Sequence, residues 1–428
     1  MKDFFKKIVM SALTFEAQIL LNRRKPKIVA ITGSVGKTST KDAVFTVLKE
    51  RVHARKSEKS FNSDIGVALT ILGLRGVRNN PLSWIRTVID GALHAVFSRE
   101  YPDVLILEMG VDRKGDMARL TSWIKPDVVV VTRLADVPAH VEFFSSPQEV
   151  AEEKMSLVSA LKPEGVFVFN NDDQLISEYK KGIQRQSFGF GVYNTSHFSA
   201  LNETVLYDGA LPTGMQFFLS HVGEETVRAT VVKSLGKQHM YTYAAAAAVG
   251  SVFGISLKEA VDSLGLHASP QGRMRLIDGV QGSVIIDDTY NSSPTACENA
   301  LLTLHELKVA GKKVAILGDM LELGRFSVRE HERIGEFLAS KIDVLITVGV
   351  RARKIAESAH AYGLQSERII VCDNAQDVVE KFLPSVQKND VILVKASQSI
   401  RAEKIVMALM KDKEKSSELL VRQNSMWK

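Results

Sequence analysis

The sequence predicts an α/β protein whose mostly parallel sheets fall into two successive domains. Three observations lead there. Short apolar runs alternate with helical patterns along nearly the whole chain, a glycine-punctuated turn joins the first run to a helix, and the alternation breaks at a cluster of turn residues before resuming. With 428 residues, 45% hydrophobic and 24% charged, the chain is long enough for two or three domains with their own cores.

Residues 1–27 come first. Lys2, Lys6 and Lys7 precede an apolar stretch from Ile8 to Leu21. Glu16 and Gln18 interrupt it, no small-residue cleavage site follows, and it falls short of the ~20 apolar residues that span a bilayer. The expectation is a helical extension, amphipathic and packed on the body of the protein, with loose attachment to an anionic membrane surface as the alternative. No other segment approaches a membrane span, so stable insertion is not expected. Cys297 and Cys372 make neither a disulfide framework nor a metal quartet, and read as reduced thiols in a cytoplasmic protein.

Ile28 to Ile31 then reads as a buried strand, residues 32–39 (TGSVGKTS) as a turn, and a helical pattern opens at Thr40. This is the layout of a phosphate-binding loop. Gly33 and Gly36 let the backbone turn tightly and bring its N–H groups against phosphate oxygens, the helix N-terminus adds positive potential, and Lys37 adds a full charge. Thr38 is placed to put a hydroxyl on Mg²⁺. The spacing is shorter than G-x-x-x-x-G-K-[ST], because Ile31 stands where the first glycine would fall. An ordinary strand-to-helix turn is the competing reading, and the coincidence of glycines, lysine and hydroxyls between a strand and a helix weighs against it.

Beyond the loop, Val104 to Leu107, Val128 to Val131 and Val166 to Phe169 are expected strands, with helices near Pro147 to Leu161 and Gln238 to Phe253. Ser187 to Val232 scatters Gly and Thr between β-prone runs and is expected to form antiparallel strands closing the first domain. Ala244 to Ala248 needs no special role, since small residues let a helix sit close to a sheet. Ser269-Pro270-Gln271-Gly272 marks the division, which gives domains at 28–268 and 269–428. The second series of strands runs through Val284 to Ile286, Val314 to Leu317, Val344 to Val348, Ile369 to Val371 and Val391 to Val394.

The net charge of +6 suits a polyanionic ligand such as a nucleotide without arguing for a nucleic-acid partner. Glu108 ends a strand, His140 follows another, and Lys154 lies in a helix. Singly, such residues are more often a solvated cap, a satisfied loop histidine and an exposed lysine. Their placement at the C-terminal ends of strands, where open α/β sheets bind ligands, raises the functional reading. Beside a phosphate loop, Glu108 could share a hard cation with Thr38.

From Lys27 to about Leu409 the chain resembles the Mur ligases, ATP-dependent amide-bond-forming enzymes of peptidoglycan assembly. The stretches that carry the resemblance are 31–41 (ITGSVGKTSTK), 62–67 (NSDIGV), 107–110 (LEMG), 138–142 (PAHVE), Glu153-Lys154, 272–274 (GRM), 287–294 (DDTYNSSP), 317–324 (LGDMLELG) with His331, and Val394-Lys395. Lys41, the Glu-Met-Gly run and the 317–324 run tilt it toward the branch that adds D-alanyl-D-alanine to a UDP-N-acetylmuramoyl tripeptide. The resemblance implies a central P-loop ATPase domain followed by a Rossmann-like domain. It implies that Lys37, with Gly33, Ser34, Gly36 and Ser39, binds the ATP phosphates, that Thr38 and Glu108 hold one Mg²⁺ and His140 a second, and that Lys154 is carried as a carbamate. Lys37, Glu108, His140 and Lys154 would be the catalytic set. Arg273, Asp288, Tyr290 and Asn291 would surround the nucleotide. The partners implied are small molecules, namely ATP, a muramoyl peptide and a dipeptide amine donor, with the oligomeric state left open.

Some positions depart from the family pattern. Members usually carry a globular N-terminal domain for the uridine nucleotide, whereas 27 residues precede the loop strand here, so the expectation is a chain without it. Arg133 stands where asparagine is usual, Met240 and Tyr243 replace two asparagines, and Ala396 and Gln398 interrupt a Gly-Ser-Arg pattern.

Overall fold

Two sheets organise the chain in a computed structural model that describes residues 2–58, 61–76 and 80–423, with side chains from Phe5 onward. The Lys2 side chain invoked above lies outside the described residues. The first sheet contains β1 (Lys27–Thr32), β2 (Ala54–Lys56), β3 (Val104–Glu108), β4 (Val128–Val131), β5 (Val166–Asn170), β6 (Ser187–Gly191), β7 (Phe198–Asp208), β8 (Leu211–His221) and β9 (Val227–Val232). Their spatial order is β2-β3-β1-β4-β5-β6-β7-β8-β9. The apolar runs of β1, β3, β4 and β5 are buried on both faces, which is why they read as continuous rather than alternating.

The stretch from Ser187 to Val232 differs in part from expectation. β7, β8 and β9 are antiparallel, but β6 pairs in parallel with β5 because the helix Gln174–Lys180 crosses over between them. The helix expected from Thr40 begins earlier, at Lys37 (Lys37–Leu48). Gly36, at φ 89°, makes the turn that starts it, and no side chain caps it. Its first N–H groups are therefore directed into the loop.

The second sheet contains β10 (Arg275–Asp278), β11 (Val284–Asp288), β12 (Lys313–Gly318), β13 (Val344–Val348), β14 (Ile369–Cys372) and β15 (Val391–Lys395), in the order β10-β11-β15-β12-β13-β14. All pairs are parallel except β10 with β11. β10 was not anticipated. It is a four-residue edge strand, and Leu276 N–H donates to Lys233 O beyond β9, which ties the sheets together.

Both sheets place their strand-order reversals where ligands bind in open α/β folds. β1 has β3 and β4 on either side, and β15 lies between β11 and β12, so crevices open at the C-terminal ends of β1 and β15. The helix Gln238–Val252 packs Ala244 to Ala248, all buried, against the helix Lys37–Leu48 and the sheet. The N-terminal helix Lys2–Arg24 lies on the helices Asp64–Leu72 and Pro81–Phe97. Among the described residues no helix is long and apolar enough to cross a membrane.

Candidate active site

The loop from Thr32 to Ser39 takes its shape from two glycines and one threonine. Gly33 has φ 143°, and a Cβ there would lie 2.1 Å from Thr132 Oγ1. Thr132 in turn donates to Val35 O at 2.7 Å, while Ser34 N–H donates to Arg133 O at 2.6 Å. The loop is thereby pinned against the end of β4. Lys37 curls back so that Nζ donates to Gly33 O at 2.8 Å. Burial lowers the pKa of Lys37, and the Glu108 carboxylate partly offsets this.

Glu108 pairs with Ile31 across the β1–β3 ladder, which sets its carboxylate beside the loop. Thr38 Oγ1 donates to it, 3.0 and 3.2 Å from the two oxygens. Lys41 Nζ, with its side chain buried, sits 3.6 Å from Glu108 Oε2 and 3.7 Å from Asp42 Oδ1. His140, at φ 68°, places Nδ1 3.0 Å from Glu322 Oε2 and Nε2 3.6 Å from Asp112 Oδ1. Lys154 lies in the helix Pro147–Ser159, almost wholly buried. Burial, together with repulsion from Lys37, brings its pKa down to about 7.

The second sheet supplies the opposite wall. Arg273 holds its guanidinium 4.2 Å from the Tyr290 ring centroid and reaches Thr38 Oγ1 at 3.5 Å. Lys395 Nζ donates to Asp288 Oδ2 at 2.6 Å and to Asn291 O at 2.9 Å, a buried pair at the ends of adjacent strands β15 and β11.

A single cleft of ≈ 600 Å³ is lined by Ser34, Gly36, Lys37, Thr38 and Ser39 on one side and by Arg273, Asp288, Tyr290 and Asn291 on the other, with Glu108, His140 and Lys154 between them. Gly33 is not on that lining. It lies under the loop, where its carbonyl holds Lys37. The structure adds residues to which the sequence attached no role. Glu322 and Asp112 hold His140, Gln238 and Thr242 reach the cleft from the Ala-rich helix, and Arg422 donates to Thr289 O at 3.1 Å and to Tyr290 O. Glu322 was visible inside the 317–324 run. Arg422 lies past the end of the resemblance and carried no local signal.

Among the described residues no group of three or more His, Cys, Asp and Glu is placed to hold a metal. The donor chemistry still fits Mg²⁺, which binds through one or two protein oxygens and takes the rest from water and phosphate. Thr38 Oγ1 and Glu108 are adjacent hard-oxygen donors beside the loop.

A model described as the Mur ligase middle domain matches residues 31–250, and one described as Mur ligase, glutamate ligase domain, matches residues 272–398. The chain belongs to the Mur ligase family. It is 29% identical over 403 residues to the UDP-N-acetylmuramoyl-tripeptide–D-alanyl-D-alanine ligase of Bacillus subtilis strain 168, covering 94% of this chain and 79% of that one. To the enzyme of the same name from Escherichia coli K12 it is 27% identical, over 90% of this chain and 77% of the relative. The crystal structure of MurF ligase from Thermotoga maritima in complex with ADP superposes with a TM-score of 0.76 at 24% identity, covering 95% of this chain and 84% of that one.

In this Mur ligase the departures from the family pattern separate by location. Met240 and Tyr243 are buried between helix and sheet, the Tyr243 hydroxyl donating to Leu264 O at 3.1 Å, and neither lines the cleft. Arg133, with Asn170, Tyr193 and Tyr241, lines a second cavity of ≈ 250 Å³ that adjoins the loop at Val35 and Gly36. Gln398 lines the main cleft, whereas Ala396 is buried against Gly318.

Proposed function

We propose that this chain is the ATP-dependent, ADP-forming ligase that joins D-alanyl-D-alanine to a UDP-N-acetylmuramoyl tripeptide in peptidoglycan precursor synthesis. The observation that carries the reading is the two-sided cleft, in which a phosphate loop on the first sheet faces Arg273, Tyr290 and the Asp288–Lys395 pair on the second. Residues 28–268 act as the ATP-binding domain and 269–428 as the domain that closes over it. The same reading places the enzyme in the cytoplasm with its ATP and nucleotide-linked substrate.

The tripeptide carboxylate attacks the γ-phosphate of ATP to form an acyl phosphate and ADP. The dipeptide amine then attacks the acyl carbon, and phosphate leaves with the C–O bond that breaks. Lys37 and the loop amides receive the phosphates and offset the charge that repels the incoming carboxylate. Arg273 and Tyr290 hold the nucleotide from the other side and orient it. Closure of the walls excludes water, which would otherwise hydrolyse the acyl phosphate. No Ser, Cys or His nucleophile is required.

Thr38, Glu108, His140 and Lys154 are the residues that would hold Mg²⁺, which when bound neutralises phosphate charge. As an ammonium, Lys154 would repel a cation. Its pKa of about 7 leaves a large neutral fraction, and the neutral amine is the form that adds CO₂ to become an anionic carbamate ligand. An exposed lysine at 10.5 would be neutral in only about one molecule in three thousand at pH 7.

The test is phosphate release from ATP with UDP-muramoyl tripeptide and D-alanyl-D-alanine, with product mass as the readout. A product heavier by the dipeptide residue supports the assignment. Turnover only with a different carboxylate or amine would move this Mur ligase to another substrate pair.

A further inference from the structure

The helix Lys2–Arg24 buries Val9, Leu13, Ala17 and Leu20 against its neighbours, which is the stripe that docks it. Its outward side carries apolar residues as well, beside the exposed Ser11 and Asn22. Phe15 is 63% exposed, with Ile8 and Ile19 on the same side at helical spacing. The adjacent helix Pro81–Phe97 repeats the pattern. Thr87, Gly91 and Ala95 turn inward, while Leu82 (74% exposed), Ile85, Ile89 (55%), Leu93, Val96 and Phe97 (71%) face solvent. Single exposed apolar residues are ordinary, but two neighbouring helices that each keep an outward apolar stripe form a patch that monomeric proteins rarely leave bare.

The two helices are locked together. Glu16 fits against Gly91, where a Cβ would lie 2.1 Å from Glu16 Oε2, and Arg23 donates to the carbonyls of Ala95 (3.1 Å) and Val96. The rim of the patch is mainly cationic. Lys6, Lys7, Arg23, Lys25, Arg86 and Arg99 are exposed on these helices or their ends, against the exposed Glu100 and the half-buried Asp90, which pairs with Arg86 at 3.8 Å. Where both helices end, Arg24, Lys25, Lys27, His53 and Arg99 line a notch of ≈ 430 Å³ whose acids are Glu100 and Asp103. Arg24 Nε is buried near it without a hydrogen-bond partner.

A protein partner would be matched by a rim of mixed charge, whereas an apolar face with a basic border matches the boundary between acyl chains and anionic headgroups. We propose that the helices Lys2–Arg24 and Pro81–Phe97 form a docking face for an anionic lipid bilayer, with the basic notch receiving a lipid phosphate. The attachment is peripheral, because no described helix can span a bilayer. It leaves the catalytic cleft free. The notch lies at the start of β1 and the phosphate loop at its far end, at opposite ends of the parallel strands. The inference does not depend on which substrates the cleft takes.

The experiment is co-sedimentation of the full chain with vesicles of equimolar phosphatidylglycerol and phosphatidylcholine, beside vesicles of phosphatidylcholine alone. The protein is expected to pellet with the anionic vesicles and stay in solution with the neutral ones, and added salt is expected to weaken binding. Two double variants, Ile89→Glu with Leu93→Glu and Arg86→Glu with Arg99→Glu, are each expected to lower the bound-to-free ratio about tenfold or more. Both sets change exposed side chains, so thermal melting and lipid-free phosphate release should match the parent. Failure to pellet with anionic vesicles at low salt overturns the proposal, as does binding that neither variant weakens. A dimer in sedimentation velocity that Ile89→Glu with Leu93→Glu dissolves would assign the face to a second copy instead.

Discussion

His140 Nδ1 lies 3.0 Å from Glu322 Oε2, and the two residues stand on loops that follow strands of different sheets, β4 and β12. Both have positive φ, 68° and 63°. The hydrogen bond from His140 holds the Glu322 carboxyl below its ordinary pKa. The contact is part of what holds the two walls of the cleft in register, and Gly324 next to it packs against Glu142 of the facing loop.

Glu322→Gln keeps a hydrogen-bonding group but removes the charge. Because the pair is partly solvated, the expected loss is modest, roughly threefold to tenfold in kcat/KM for ATP with no change in melting temperature. Steady-state kinetics and a melt check it together. Parent-like kinetics would mean that the pair does not persist in the working enzyme.

Replacing Lys37 by Ala removes the charge proposed to meet the ATP phosphates, without opening a core cavity. ATP turnover is expected to fall by at least about a hundredfold. Circular dichroism and the melting temperature should be retained. Near-normal phosphate release would refute the role assigned to the loop.

For Lys154 the sign of the pH effect follows from its pKa of about 7. Below that value the side chain becomes an ammonium that cannot add CO₂, so at limiting bicarbonate activity should decline as pH falls from about 8 to about 6. Added bicarbonate should raise activity most near neutrality. Lys154→Ala should lose most activity, be insensitive to bicarbonate, and regain some in the presence of a short carboxylic acid. An intact mass that never shows the added CO₂, together with a flat bicarbonate response, would exclude the carbamate.

Glu16 is buried at the seam of the two outer helices, and burial raises its pKa from 4.5 to about 7. Below about 4.5 the group is neutral both folded and unfolded. Between the two values only the unfolded chain ionises, so its contribution to stability is lost as pH rises, and above about 7 the loss is complete. Glu16→Gln should therefore raise the melting temperature by a few degrees at about pH 8 and by much less at about pH 4. Equal shifts at both pH values would show that Glu16 is not desolvated.

Much of the first wall was legible in order along the chain because its signals are local. The turn from Thr32 to Ser39 needs only neighbouring glycines and a following helix, and the strand that delivers Glu108 is an unbroken apolar run. What was misplaced was also local in origin. The helix starts at Lys37 because a left-handed Gly36 can open it directly, and β10 is too short to show a period. The Met240 and Tyr243 replacements fall outside the cleft, because the rotation of their helix points them into the core.

Local sequence was enough to read the alternation of strands and helices, the strand–turn–helix around Thr32 to Ser39 and the place of Glu108 at a strand end, since each depends on backbone propensity and spacing within a few residues. Tertiary structure alone decided that His140 meets Glu322, that Arg422 from the last turns braces the Tyr290 backbone, and that Lys154 is desolvated enough to lose its proton near neutrality. It also decided which apolar stripe of the helix Pro81–Phe97 is outside. A period of 3.6 marks a stripe without saying what covers it, because burial depends on chain segments distant in sequence.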